Sequence, residues 1–235
     1  SCEEVSLTFQ NSTTVAGSAA LTYQWNFGDG TLSSQSNPIK SYQNPGTYAV
    51  VLNATSGSCS SQQTVDLQIW ERPQANFVSG LACPGAPVSF VNTSTFSNQS
   101  GLSYLWSFGN GTNATLVQPT AIYNSSGNYQ VQLQVTSPQG CMSTINKVIE
   151  VGTYPSLASW KNVQNSCYES IQLNAGNPGS QYLWSDNSTG QTLQVISSGI
   201  YAVSITDPSG CSVTAQTDIT FDHSLQTQLP EMAEA

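Results

Sequence analysis

Apolar and polar residues alternate along most of the chain. Val5, Leu7 and Phe9 stand two apart, as do Val88 and Phe90, and Ile171 and Leu173. A period of two places each set on one face of a β-strand. The same alternation runs through GTYAVVL from residue 46, GNYQVQL from residue 127 and GIYAVSI from residue 199. These runs are dense in β-branched and aromatic residues. Turn-forming residues interrupt them about every 8–12 positions, the spacing of an all-β sandwich. No stretch carries an apolar stripe of helical period.

The strands repeat three times. Tyr23-Gln24-Trp25, Tyr104-Leu105-Trp106 and Tyr182-Leu183-Trp184 are one pattern. A cysteine precedes each: Cys2, Cys83 and Cys167. Behind each comes a Gly-x-Tyr strand start with Tyr48, Tyr129 or Tyr201, and that strand ends in a turn carrying Cys59, Cys141 or Cys211. The predicted architecture is three tandem Ig-like β-sandwiches over residues 1–72, 73–152 and 153–222. Residues 223–235 form a tail without strand pattern. Trp25, Trp106 and Trp184 are expected on central strands between sheets. Tyr48, Tyr129 and Tyr201 are expected as buried rings whose hydroxyls reach backbone. The joints Glu71-Arg72-Pro73 and Gly152-Thr153-Tyr154-Pro155 are short, and proline restricts them further, so an elongated, semi-rigid rod is expected. The first repeat lacks the short strand (compare Ala75–Val78) that precedes the cysteine in the second, and the N-terminus reads as cut from a longer chain.

The six cysteines show no CxxC spacing, which argues against zinc. One precedes an early strand and one follows a late strand in every repeat. The economical pairing is therefore Cys2–Cys59, Cys83–Cys141 and Cys167–Cys211, one disulfide per domain. Each would close a loop of roughly 45–60 residues and contribute about 4 kcal/mol in the chain-entropy picture. That matters for domains of ~75 residues, which bury little core.

The segments YQWNFGDGT (23–31) and YLWSFGNGT (104–112) raise a chemical question, because an exposed acid at Asp29 could ligate a metal or act in catalysis. The second copy has Asn110 there. A hard cation or a general acid needs the carboxylate, whereas a tight turn accepts either residue. The turn reading is favoured, with calcium at Asp29 as the alternative. With Pro38, Tyr42 and GTYAVVLNATSG, the first segment resembles the PKD (polycystic kidney disease) domain family. The second, with Pro119, Tyr123 and GNYQVQLQVTSPQGC, resembles it as well. Where that family carries a first acid after the tryptophan, this chain has Asn26 and Ser107. Where it often carries histidine ahead of the tyrosine, this chain has Lys40 and Ala121. The third repeat has no FGDG. It resembles the Ig-like repeats found beside PKD domains in surface proteins of gliding bacteria, often exported by a type 9 secretion system. That resemblance implies a long modular chain acting as an adhesin or stalk.

Composition narrows the role. Only 7% of residues are charged, against about 25% in an ordinary globular protein. The net charge is −9, with Lys40, Arg72, Lys147 and Lys161 the only Lys or Arg residues. Nucleic acid and anionic membrane surfaces both require clustered cations, so neither is an expected partner. No apolar run approaches ~18 residues. The opening residues are not expected to form a signal peptide. An even cysteine count in a charge-poor chain points to an oxidising compartment, hence a secreted or cell-surface protein. The only histidine, His223, lies in the tail, and no Ser/His/Asp or Cys/His set can be assembled. The chain is expected not to be an enzyme. Glu3, Glu4 and Glu71 near predicted domain edges join Asp29 as candidate calcium ligands. Trp70 and Trp160 lie outside the repeated core pattern, as glycan contacts or as packing at the joints. The expected function is a non-catalytic spacer, stalk or adhesin repeat joined to other domains of a parent chain, meeting extracellular polysaccharide or protein. The alternatives are a carbohydrate-binding accessory module of a secreted polysaccharide- or protein-degrading enzyme, and a filament subunit that pairs through open strand edges.

Overall fold

The computed structural model describes residues 1–16, 20–98, 100–158, 160, 165–166 and 169–221. Among them there is no helix. The first repeat carries β1 (Leu7–Thr8), β2 (Thr22–Asn26), β3 (Leu32–Ser33), β4 (Ile39–Lys40), β5 (Gly46–Ser56) and β6 (Cys59–Ile69). The second carries β7 (Phe77–Ser79), β8 (Pro87–Asn92), β9 (Ser103–Ser107), β10 (Asn113–Ala114), β11 (Thr120–Ile122), β12 (Gly127–Thr136) and β13 (Met142–Val151). The third carries β14 (Asn165–Ser166), β15 (Ile171–Asn174), β16 (Gln181–Trp184), β17 (Thr192–Val195), β18 (Gly199–Thr206) and β19 (Ser212–Phe221).

Two compact units result. One comprises Ser1–Val78, Val91–Pro119 and Val131–Lys147; the other comprises Ser79–Phe90, Thr120–Gln130 and Val148–Ala235. The units do not follow the repeat boundaries, because the second repeat contributes to both.

In the first unit, β3-β2-β5-β6 form an antiparallel sheet and β1 pairs with β4. The sheet buries Trp25, Phe27, Val50 and Ile69, and Tyr42 joins them from the chain beyond β4. Leu7, Phe9, Leu52 and Leu67 pack half-buried against this cluster. The same unit holds the β9–β12 ladder, with Trp106 opposite Leu133 and both fully buried. Phe77 meets the Trp106 ring edge-on at 5.2 Å.

In the second unit, β11 pairs with β8. The third repeat forms the sheet β14-β19-β18-β16 beside the pair β15-β17. Its core is Leu173, Tyr182, Trp184, Leu193, Val195, Val203, Ile205 and Ile219, with Ala175 and Ala215. Period-two alternation explains this directly: β16 and β17 each bury every second residue.

Each repeat tryptophan also satisfies its one polar atom. The indole N–H of Trp25 donates to the Gln35 carbonyl at 3.0 Å, that of Trp106 to Leu116 at 2.9 Å, and that of Trp184 to Gly190 at 2.7 Å. A buried indole thereby ties the loop beyond its strand to the core.

The expectation for Tyr48, Tyr129 and Tyr201 needs a correction, since these rings are half-buried. Their hydroxyls donate to the carbonyls of Asn44, Ser125 and Ser197 at 2.9–3.0 Å, four residues upstream. Reaching that backbone holds each ring at the rim. The rings that go fully inside are their neighbours Tyr42 and Tyr123, at centroid distances of 4.3 and 4.4 Å from Tyr48 and Tyr129.

The disulfides correct the sequence reading more deeply. Cys2 bonds Cys141, and Cys83 bonds Cys211. Cys59 is a free, exposed thiol, and Cys167 lies outside the described residues. None of the three pairings within a repeat is made. Cys2 forms a bridge with Trp70, just beyond the end of β6, while Cys59 opens that strand. Eleven residues of β6 at about 3.3 Å each put the two cysteines roughly 35 Å apart along the strand. A disulfide requires Cα atoms within about 7 Å. The second repeat has the same layout. The amide of Gly152, just past β13, donates to the Ala82 carbonyl beside Cys83, whereas Cys141 stands before the start of β13. The first and second repeats therefore each hold their two cysteines at opposite poles, and each bond reaches the turn of the next repeat.

Peptide mapping without reduction is expected to return Cys2–Cys141 and Cys83–Cys211 and no Cys2–Cys59. Cys141→Ser is expected to lower unfolding stability by about 2–5 kcal/mol, read by denaturant titration.

Candidate functional site

The FGDG and FGNG turns follow β2 and β9. The amide of Phe27 donates to the Thr31 carbonyl, and that of Phe108 to Thr112. Within each turn one side-chain oxygen does the same work. Asp29 Oδ1 accepts the Thr31 amide at 3.1 Å and its hydroxyl at 2.6 Å; Asn110 Oδ1 accepts the Thr112 amide at 3.0 Å and its hydroxyl at 2.6 Å. An amide oxygen replaces a carboxylate oxygen here without losing a bond, which accounts for Asn at the second position. The other carboxylate oxygen of Asp29 faces Lys40 Nζ at 2.6 Å. Where aspartate becomes Asn110, the residue in the place of Lys40 is Ala121. The acid and its base are present together in the first repeat and replaced together in the second.

Burial pushes the Asp29 carboxyl upward, but hydrogen bonds from Lys40 and Thr31 outweigh it and hold the pKa below the ordinary carboxylate value. Lys40 also stands 5.5 Å from the centre of the Tyr42 ring. The Tyr42 hydroxyl donates to the Phe27 carbonyl at 3.0 Å. Burial, and then the Asp29 charge, push its pKa up to about 12. Tyr123 is likewise pushed up to about 12 by burial. Neither tyrosine is an acid at physiological pH, and the Tyr42 hydroxyl serves as a structural donor.

The remaining candidate acids have protein partners. Glu3 accepts the Arg72 amide at 2.9 Å, and Glu4 pairs with the Arg72 guanidinium at 3.6 Å. Glu71 accepts the amide and hydroxyl of Ser97. Asp207 accepts Ser209 Oγ at 2.6 Å and the Cys211 amide at 2.9 Å, which shapes the turn that presents Cys211. Hydrogen bonds from Ser209, Cys211 and Thr153 overcome burial and keep its pKa low. No three acidic, histidine or cysteine side chains gather among the described residues.

The two unassigned tryptophans part company. Trp160 packs against the third-repeat core, 6.0 Å from Trp184, and its N–H donates to the Gln216 carbonyl. Trp70 is 41% exposed. It lines an open groove of about 410 Å³ with Gln68, Glu71, Phe96, Asn98 and Gln139. A larger opening of about 670 Å³ exposes part of the first core between Phe9, Trp25, Leu52 and Val65. Sequence reasoning noted Lys40 only as a departure from a family pattern and passed over Ser97. A lysine ahead of a motif tyrosine was a signal for the first; Ser97, 26 residues from Glu71, left none.

The PKD domain family model matches residues 1–69 and again 70–151. The chain belongs to the PKD domain family. The chain is 31% identical over 147 residues to the pre-pro-metalloprotease PrtV of Vibrio cholerae, covering 61% of this chain and 16% of that protease. A microbial collagenase of Vibrio alginolyticus is 35% identical over 68 residues, covering 28% of this chain and 8% of the collagenase. The chain thus spans less than a fifth of either relative. The PKD1 domain of PrtV, a solved structure, is 38% identical and covers 34% of this chain and 96% of that domain, with a TM-score of 0.31.

Two outcomes are expected in the PKD turn. Gly28 has φ +78°, and a Cβ there would lie 2.9 Å from the Ala49 carbonyl oxygen of β5; Gly30 has φ +87° and open space. Gly30→Ala should cost only the backbone penalty, about 1 kcal/mol, and Gly28→Ala clearly more, by thermal or urea unfolding. Asp29→Asn should lose about 1 kcal/mol or less of ion-pair stability. Because the folded pKa of Asp29 is depressed, that difference is full above the unfolded carboxylate pKa. It vanishes as pH falls through the lower folded value.

Proposed function

We propose that this PKD chain is a non-catalytic spacer or stalk segment of a larger extracellular protein, its repeats running over residues 1–72, 73–152 and 153–222. The observation that carries the reading is the disulfide running from each of two repeats to the next. A covalent tie between neighbours resists separation of domains under load and contributes nothing to turnover. The motif acids are spent on turns and ion pairs, as a structural segment requires. Disulfides of this kind persist outside the cytosol, and the related stretches sit inside a protease and a collagenase. Surface attachment, type 9 export and a part in gliding belong to this proposal and rest on the resemblance of the third repeat. Replacing the segment within its parent protein by unrelated tandem sandwiches of equal length should preserve the parent's activity. Loss of activity on that exchange counts against a spacer.

The groove at Trp70 favours a second reading, a carbohydrate-binding module. An exposed indole beside Gln68, Asn98 and Gln139 offers a stacking face and amide groups to sugar hydroxyls. Retention on insoluble polysaccharides, competed by soluble sugar and lost in Trp70→Ala with the fold intact, would establish it. The spacer reading expects no retention with calcium or with chelator.

A further inference from the structure

We infer that the first repeat carries a docking groove for an extended strand of a partner protein, which inserts an aromatic side chain against Trp25. That groove adds a binding activity to the segment, and it stands whether or not the segment is a spacer. Two repeats fill this position from their own chain. In the second, the segment ahead of Cys83 lays Phe77, fully buried, edge-on against Trp106. In the third, Trp160 packs 6.0 Å from Trp184. In the first, the corresponding space is the opening of about 670 Å³ over Trp25. Its walls are bared to match. Phe9, Leu52 and Leu67 are half-buried, whereas their counterparts Phe90, Leu133 and Ile149 are buried. Ser61 and Val65 are exposed, whereas Ser143 and Lys147 are half-buried.

The backbone specifies the class of occupant. In the second repeat the amides of Gln74 and Thr95 donate to each other's carbonyls at 2.8 and 2.9 Å, and the Thr93 amide donates to the Asn76 carbonyl at 2.9 Å. The Ala75 amide donates to Ser143 Oγ at 3.2 Å. The counterparts of Thr93, Thr95 and Ser143 are Ser12, Thr14 and Ser61, and all three line the groove. Among the described residues, the main-chain groups of Ser12 and Thr14 have no hydrogen-bond partner. An open backbone edge beside an apolar floor accepts an added strand. The second repeat also sets the register. The strand residue in the place of Gln74 pairs with Thr14, the next donates to Ser61, and the aromatic enters two positions later over Trp25. Lys147 lies over the Phe77 ring and donates to the Phe77 carbonyl, whereas its counterpart is Val65. No charged residue lines the groove, which favours an uncharged strand. Phe77 and Trp160 are each engaged in their own repeat. A second copy lends neither without uncovering a core tryptophan of its own, so the occupant is a different polypeptide.

The test titrates the full chain, with its native disulfides, with a capped peptide of residues 74–80, Gln-Ala-Asn-Phe-Val-Ser-Gly. NMR shifts and amide hydrogen exchange report the site. The expected result is saturable binding that slows exchange at Ser12 and Thr14. Phe77→Ala in the peptide should weaken binding about tenfold or more. Ser61→Ala in the chain should weaken it severalfold, and Ser60→Ala, on the opposite face of β6, should leave it unchanged. Absence of saturable binding overturns the inference. So does binding that leaves exchange at Ser12 and Thr14 unaltered, ignores the phenylalanine, or responds alike to Ser61→Ala and Ser60→Ala. The parent protein from its native source supplies the second arm. Exchange at Ser12 and Thr14 that is fast alone and slows with the peptide supports a partner strand. Exchange already slow there without a partner means that a strand of the same polypeptide fills the groove, and overturns it.

Discussion

The length of one strand governs this molecule. A last strand of ten or eleven residues separates the turn that opens it from the joint that follows it by more than 30 Å. The leading cysteine sits at the joint and the other cysteine at the turn. No side-chain motion closes that gap, so neither cysteine can serve its own repeat. Each bond must run between repeats, and the stability of one sandwich becomes tied to the next. Domains of this size bury modest cores. Here the cross-link does not reinforce a single core but couples neighbouring ones.

The second organising element is the turn after the tryptophan strand. It places a buried phenylalanine, a glycine against β5 and a capping oxygen within four residues. Asp29 with Lys40 and Asn110 with Ala121 are two solutions to the same geometry. Each keeps the two hydrogen bonds to threonine, and only the first adds an ion pair. A carboxylate that looks available in sequence is thereby occupied in space.

Much of this was legible in the sequence, for identifiable reasons. Alternating burial is a local signal, so the sheets and the buried tryptophans could be read from spacing. The Asp-to-Asn exchange correctly argued for a turn. Disulfide pairing was not legible by economy, because proximity in sequence order says nothing about which pole a residue occupies. The clue was present in CSSQQTVDLQIW, a long strand leading straight away from Cys59. The burial of Tyr42 and Tyr123 in place of Tyr48 and Tyr129 depends on which of two stacked rings must reach the rim. Contacts such as Glu71 with Ser97 depend on tertiary approach and leave no local pattern.

The two disulfides interleave along the chain, since Cys83 lies inside the loop closed by Cys2 and Cys141, and Cys141 inside the loop closed by Cys83 and Cys211. A pull on the two termini is thus delivered to one cross-link and collected at the other. Between them run three backbone segments in parallel: from Cys2 to Cys83, from Cys141 to Cys211, and from Cys141 back to Cys83. The last is the shortest, roughly 60 residues, and would draw taut first at about 200 Å. It would be loaded against its own chain direction. The middle repeat thus acts as a tether that sets the reach of the whole segment, while slack on either side stays in reserve.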